Sequence, residues 1–335
     1  MKMKKVLPKL VTLLLIVVLY VAVSLLFGES SPLSYYAEVV KLILINVLLA
    51  VSLNMVTGFL GQLALGHAGF MTLGAYAMIL FVNAMSGRMP MLLAVLIGLV
   101  LGGLIAAVFG LIIGVPTLRL RGDYLAILTL AFGEIIRVLV NKFVGTTAQS
   151  IPGLIKRDLQ PMLFPLIFIV VVVSVALIYT FGTSRQGRAA LSIRDNEIAS
   201  EACGINTVYF KLFTFVLAAF FAGVAGGLYG LHIGSIEPSR AGFTYSIDIL
   251  VMVVLGGMGS ITGSIIAATA LTLLTDVLKD IPNFTAYRLI AYAIILIVMM
   301  LFRPSGLLGR AEFSMSRLLS RFGRKQAKAD AKEGL

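Results

Sequence analysis

Residues 185–205 read RQGRAALSIRDNEIASEACGI and carry the most patterned polarity in the chain. Asp195 can accept the unpaired N–H groups of a helix's first turn. Asn196 and Glu197 follow it, placing acidic charge at the positive end of the helix dipole. Ile198, Ala202 and Ile205 recur at helical spacing, and Ala199 widens the same face. Gly204 supplies a left-handed stop, with Ile205 as the apolar residue that folds back after it. The spacing predicts a helix of about two turns, roughly 12 Å long. Its chemistry is recognition rather than bond-making. Such a helix can rest on a lipid surface or dock into a soluble partner. A face this small and narrow favours the partner.

A second candidate is the pair Glu134 and Arg137, three residues apart on one helix face. Glu134 falls about 16 Å along its helix from Asp123, near the middle of a membrane. Charge at that depth is costly and points to function by default. The favoured reading is an ion pair that fixes helix packing; an isolated carboxylate would point more strongly to proton coupling. His67 and His232 are not at metal spacing and have no Cys or carboxylate cluster beside them in sequence, so no metal site is expected. His67 is read as a hydrogen-bonding residue near a substrate path. No GxxxxGK[ST] sequence occurs. GGMGSITG, residues 256–263, resembles a phosphate loop in glycine content only and reads better as a helix break. The sequence therefore predicts no catalytic residue and no cofactor in this chain. If ATP drives its work, ATP and Mg bind to another chain.

The chain has 335 residues, 59% of them hydrophobic and 13% charged. Soluble domains carry about 25% charged residues. With a mean hydropathy of +1.03, the fold class is an all-α integral membrane protein, since the apolar runs reach helical spanning length. The net charge of +12 does not call for nucleic acid, because Lys and Arg gather where a cytoplasmic surface would hold them. The single cysteine, Cys203, can form no internal disulfide.

About ten membrane segments are expected, with broken helices and a cytoplasmic coupling helix. Residues 1–9 form a basic cytoplasmic N-terminus, residues 10–302 the transmembrane domain, and residues 303–335 a basic cytoplasmic tail. The loop 182–208 holds the patterned stretch. The first span runs to Phe27 and the second covers about 39–56. Gly58, Gly61, Gly66, Gly69 and Gly74 then crowd the start of the third. In the fourth, Gly98, Gly102, Ala106, Gly110 and Gly114 recur every four residues, a seam for close helix packing. The eighth, about 245–255, is short and breaks at Gly256, Gly257 and Gly259. With the N-terminus inside, ten crossings put 18 basic residues inside and 8 outside, which supports that orientation. The break after the second span has no basic residue beside it, so its side rests on the count alone. Interruptions near Gly61 and Gly257, one in each half, point to a transport site between the halves. The candidate path residues are Gly58, Gly61, Gln62, His67, Gly69, Glu134, Arg137, Gly256, Gly257 and Gly259.

GQLALGHAGFMTLGAY, LRLRGDYLAILTLAFGEIIRVLVN, GRAALSIRDNEIASEACGI and GGMGSITG, in this order, resemble segments of one family. It is the LivM-type permease subunits of branched-chain amino acid ABC importers, and the likeness covers roughly residues 46–309. The resemblance implies a bacterial inner-membrane importer. In it this chain would pair with a second homologous permease, two cytoplasmic ATPase subunits and a periplasmic binding protein. It places Arg188, Arg194, Asp195, Asn196, Glu197, Ile198, Ala199, Glu201, Ala202, Gly204 and Ile205 in the ATPase-coupling region. Permeases proposed for urea and short amides look similar, so substrate stays open between these and branched-chain amino acids. An ion-coupled secondary transporter is the alternative of a different class.

Overall fold

Apolar runs that enter a bilayer must satisfy their own backbone, and helices do so within one segment. The computed structural model describes residues 34–118, 123–144, 149–150, 153–236, 242–279, 284–303 and 306–309, with scattered positions between 14 and 24. The N-terminal segment, most of the expected first span, Arg119 and Arg121, residues 237–241 and most of the basic tail lie outside the described residues.

Helix α1 (Ser34–Asn54) runs into a π-helical turn, Met55–Phe59. Then follow α2 (His67–Met85), α3 (Met91–Thr117), α4 (Asp123–Val144) and α5 (Gly153–Thr183). The polar stretch forms two short helices, α6 (Arg185–Asp195) and α7 (Glu197–Ala202). The chain continues through α8 (Thr207–Ile233), α9 (Phe243–Gly256), α10 (Ile261–Leu278) and α11 (Phe284–Phe302). Two-residue strands β1 (Gln149–Ser150) and β2 (Ser235–Ile236) pair antiparallel between the loops before α5 and after α8. Nothing in the sequence marked them. Helix α5 has 31 residues and is about 46 Å long, more than a hydrocarbon core needs.

Among the described residues, seven helices are long and apolar enough to cross a membrane, so the chain is a multi-pass membrane protein. They are the stretch through α1 and its π turn, α2, α3, α8 and α10, with Tyr124–Phe143 of α4 and Met162–Thr183 of α5. Helix α9 is apolar but has only 14 residues, about 21 Å, less than a full crossing. The apolar stretch within α11, Ile290–Met299, is also short.

The packed centre is α2, α3 and α8. Here the glycine stripe of α3 does what its spacing predicts. A Cβ on Gly102 would sit 2.6 Å from the Gly74 carbonyl oxygen, and one on Gly110 would sit 2.7 Å from the Ala219 methyl. Gly114 faces Leu212 in the same way. Gly74 meets Gly223, and Gly226 meets the Met71 carbonyl, backbone against backbone. Lipid tails are as apolar as Leu, so such close van der Waals approach holds membrane helices together. Met71, Met78, Ile79 and Leu228 fill the space around these contacts.

Gly226→Val should therefore force α2 and α8 apart and cost about 1 to 3 kcal/mol or more. The expected outcome is a lower melting temperature in detergent. Ile112→Ala, on the exposed side of α3, should leave it unchanged.

Candidate functional site

The two glycine-broken segments, about 200 residues apart in sequence, touch. A Cβ on Gly58 would run into the backbone nitrogen of Gly259. Asn54, buried at the end of α1, stitches them. Its Oδ1 accepts the Gly259 N–H at 2.8 Å, and its Nδ2 donates to the Ser260 carbonyl at 3.0 Å. Ser260 then caps α10 by accepting the Gly263 N–H. Both breaks lie at one end of the bundle.

Residues 60–66 are non-helical. Gly61 has φ +69°, a left-handed conformation that favours glycine. The run then passes along α4. The Leu65 N–H donates to Thr129 Oγ1 at 3.0 Å, and Gly66 lies against the Thr129 carbonyl. Helix α2 begins beside α9, where the Ala68 N–H donates to Ser246 Oγ at 3.2 Å. Ser246 lies ten residues before Gly256, so α2 starts about 15 Å in from the broken end. His67 is buried there, with Nε2 2.8 Å from Ser52 Oγ. That agrees with the hydrogen-bonding role expected of it. Gly69 approaches Gly133 on α4. Gln62, half-buried, turns its Oε1 inward with no hydrogen-bond partner among the described residues.

The polar stretch differs from its expected form. Asp195 does not cap a helix; it is the last residue of α6. The cap is Asn196, whose extended backbone (φ −160°, ψ 109°) brings Oδ1 to the Ala199 N–H at 3.0 Å. The stretch splits at Asn196, and the helix before it has its own cap, Ser184, which accepts the Gly187 N–H. The Gly204 stop is present, at φ +82°, with the Ile205 N–H reaching back to the Ser200 carbonyl. Ile198, Ala199 and Ala202 are exposed, while Ser200 is buried.

Three ties hold the stretch to the bundle. Lys211 of α8, only 4% exposed, pairs with Glu197 at 2.7 Å. Thr207 donates to Glu201 at 2.7 Å. Arg194 reaches the breaks, with Nη1 donating to the Gly58 carbonyl at 2.6 Å and its stem lying over Gly61. A Cβ on Gly259 would meet the same Nη1 at 3.0 Å. Arg188, by contrast, bonds back to the Thr183 carbonyl.

Glu134 and Arg137 form the expected ion pair, at 2.6 Å, with each side chain about one-third exposed. The second carboxylate oxygen has a use the sequence did not reveal. It accepts the Phe243 N–H at 3.2 Å, at the start of α9, where the flanking Gly242 offers no side-chain cap. Sequence reasoning also passed over Asp248, buried in α9. A carboxylate inside the run SIDILVMVV was the available signal. Among the described residues, no group of three His, Cys, Asp or Glu is placed to hold a metal.

The family model for the permease component of branched-chain amino acid transport systems matches residues 35–301. The chain is 33% identical to the high-affinity branched-chain amino acid transport system permease protein LivM of Salmonella typhimurium, over 81% of this chain and 69% of the relative. It is 34% identical to LivM of Escherichia coli K12 over the same shares. LivH of Escherichia coli K12, also a high-affinity branched-chain amino acid transport system permease protein, is 27% identical over 79% of this chain and 91% of its own length. No solved structure matches.

Removing Glu197 would strand the buried Lys211 ammonium. Glu197→Leu should destabilise the chain by about 3 kcal/mol, and Glu197→Leu with Lys211→Met should recover most of that loss. Thermal unfolding of the three proteins in detergent is the measurement.

Proposed function

The chain belongs to the family of branched-chain amino acid transport permeases, and from that premise we propose that it is one permease subunit of an ATP-driven importer of leucine, isoleucine and valine. In this reading it sits in a bacterial inner membrane, with residues 1–9, residues 303–335 and the loop 182–208 in the cytoplasm. It is a transport permease rather than an enzyme. ATP is hydrolysed by two separate cytoplasmic subunits, and a periplasmic binding protein delivers substrate. A second homologous permease completes the path. The likeness to both LivM and LivH of one organism, each a permease protein of a high-affinity branched-chain amino acid transport system, supports that pairing.

The observation that carries the mechanism is the meeting of both breaks with the polar stretch, through Arg194, at one end of the bundle. A transport path must be interrupted helix rather than continuous helix if backbone groups are to face substrate. Residues 61–63 are partly or fully open to the outside of this chain, as are Glu134 and Arg137. Hydrocarbon cannot satisfy a non-helical backbone or an ion pair. This face therefore turns toward the second permease and the aqueous path rather than toward lipid. The inward Gln62 carboxamide and the Gly58 to Gly69 run border that path. Gly256, Gly257 and Gly259 close its cytoplasmic end, and His67 and Ser52 brace it. Engagement of Glu134 with both Arg137 and the Phe243 N–H favours a structural carboxylate over an ion-coupled transporter.

The exposed patch of Ile198, Ala199 and Ala202 is where the ATPase docks, flanked by Arg188, Asp195, Glu201 and the Gly204–Ile205 turn. Ala202→Arg should add volume and charge to that patch, reduce ATPase copurification and abolish leucine uptake, with membrane insertion intact. If the patch rests on anionic lipid instead, the added arginine should be tolerated; unchanged copurification and uptake would refute the docking. The purified chain, freed of partner subunits, should hydrolyse ATP only at background rate.

A further inference from the structure

Arg194 is bonded in a way that its sequence position does not announce. It stands one residue before the end of α6, on the polar stretch, yet its side chain is only 17% exposed and points into the bundle. Its acceptor, the Gly58 carbonyl, belongs to the π-helical turn that ends α1. Carbonyls at a helix end lack intrahelical donors and carry the negative end of the dipole. A guanidinium is suited to such a site, because its charge and planar fork strengthen the bond. The stem covers Gly61, where any side chain would collide with it, and Nη1 lies against Gly259. One side chain thus contacts both broken segments. The flanking Asp195, 61% exposed, holds Oδ1 at 3.3 Å from Nη2 and 3.4 Å from Nε. Asp195 can keep the guanidinium once the Gly58 carbonyl lets it go.

We infer that Arg194 is a latch, a positioning residue through which the polar stretch holds the two broken segments together and seals that end of the path. Withdrawal of α6 by even one hydrogen-bond length breaks the bond to Gly58 and frees Gly61 and Gly259 from the stem. Asn54 still bridges the two breaks through its bonds to Gly259 and Ser260. Two ties make the withdrawal conditional on α7. Glu197 and Glu201 fix α7 to Lys211 and Thr207 at the start of α8, so a load on the exposed face of α7 is passed to α6 and Arg194. The latch rests on the permease reading for its purpose, since a seal matters only in a path. The geometry of the seal can be tested without the ATPase.

The test uses the full chain in inside-out membrane vesicles, with Cys203→Ser to remove the native thiol. Leu60→Cys, at a buried position next to Gly61 in the chain, reports opening through its rate of modification by an impermeant maleimide. Arg194→Met keeps the stem and removes the donors. It should speed labelling of residue 60 about tenfold, the population shift expected when one charge-assisted hydrogen bond is lost. Arg194→Lys, which retains one charged donor, should restore much of the protection. Arg188→Met, on the same helix but bonded within its own loop, should change nothing. Ile79→Cys, buried in the glycine-seamed centre, should stay unlabelled in every variant. Equal labelling of residue 60 with and without Arg194 overturns the latch. So does an acceleration shared by Arg188→Met or by the residue 79 probe, since that is general loosening. Failure of an ATPase to copurify with the unaltered chain would instead count against the importer reading and leave the labelling result standing.

Discussion

A helix interrupted inside a hydrocarbon layer leaves peptide groups that nothing in the layer can satisfy. Here that constraint falls on two segments, 55–66 and 256–260, and each is answered by the other. Asn54 supplies a donor and an acceptor to the second break, and Ser260 and its neighbours present the groups that Asn54 needs. Leu65 and Ala68 find hydroxyls on Thr129 and Ser246. Neither break is stable alone in an apolar setting, so both halves of the chain must fold together before either is satisfied. The glycines follow from the same demand. Backbones that serve one another as partners must approach within a side chain's width, and Gly58 and Gly259 leave that space empty.

The seam of α2, α3 and α8 is the rigid counterpart. Gly74, Gly102, Gly223 and Gly226 bring those helices into backbone contact, and the contact has no polar component to rearrange. Helices α9 and α10, by contrast, meet across a break and are tethered to α1 through Asn54, Tyr245 and Thr272, the last two bonded to Asn46. Hydrogen bonds between side chains can exchange partners at small cost when water or substrate is present, whereas a glycine seam cannot open without leaving a void. Motion therefore belongs to the broken segments and the polar stretch, against a fixed three-helix support.

The sequence made much of this legible. Apolar length marked the spans, four-residue glycine spacing marked the seam of α3, and paired interruptions marked the breaks, because each is a local pattern with one dominant physical cause. What stayed hidden depended on partners distant in sequence. Asn54 is an ordinary polar residue in an apolar run until Gly259 lies beside it. Arg194 looks like a surface charge on a loop. Glu134 and Arg137 were visible as a pair, but the N–H of Phe243, over a hundred residues on, could not be foreseen. The shift of the cap from Asp195 to Asn196 has a local cause. Both residue types cap well, so the choice fell to where α6 ended, and α6 runs through Asp195.

Glu134 and Arg194 make an instructive contrast in how charge is used at a helix end. Glu134 sits at the N-terminus of α9 and Arg194 at the C-terminal end of α1, each complementing the dipole there. Glu134 projects from a membrane helix and is itself paired within that helix, so its bond to α9 persists as long as α4 and α9 pack. Arg194 projects from a short helix outside the spans, and its flanking carboxylate lies on the same short helix. The first arrangement fixes the start of a short helix within the bundle. The second makes the end of another depend on a segment that can move, and places that dependence where the two halves of the chain meet.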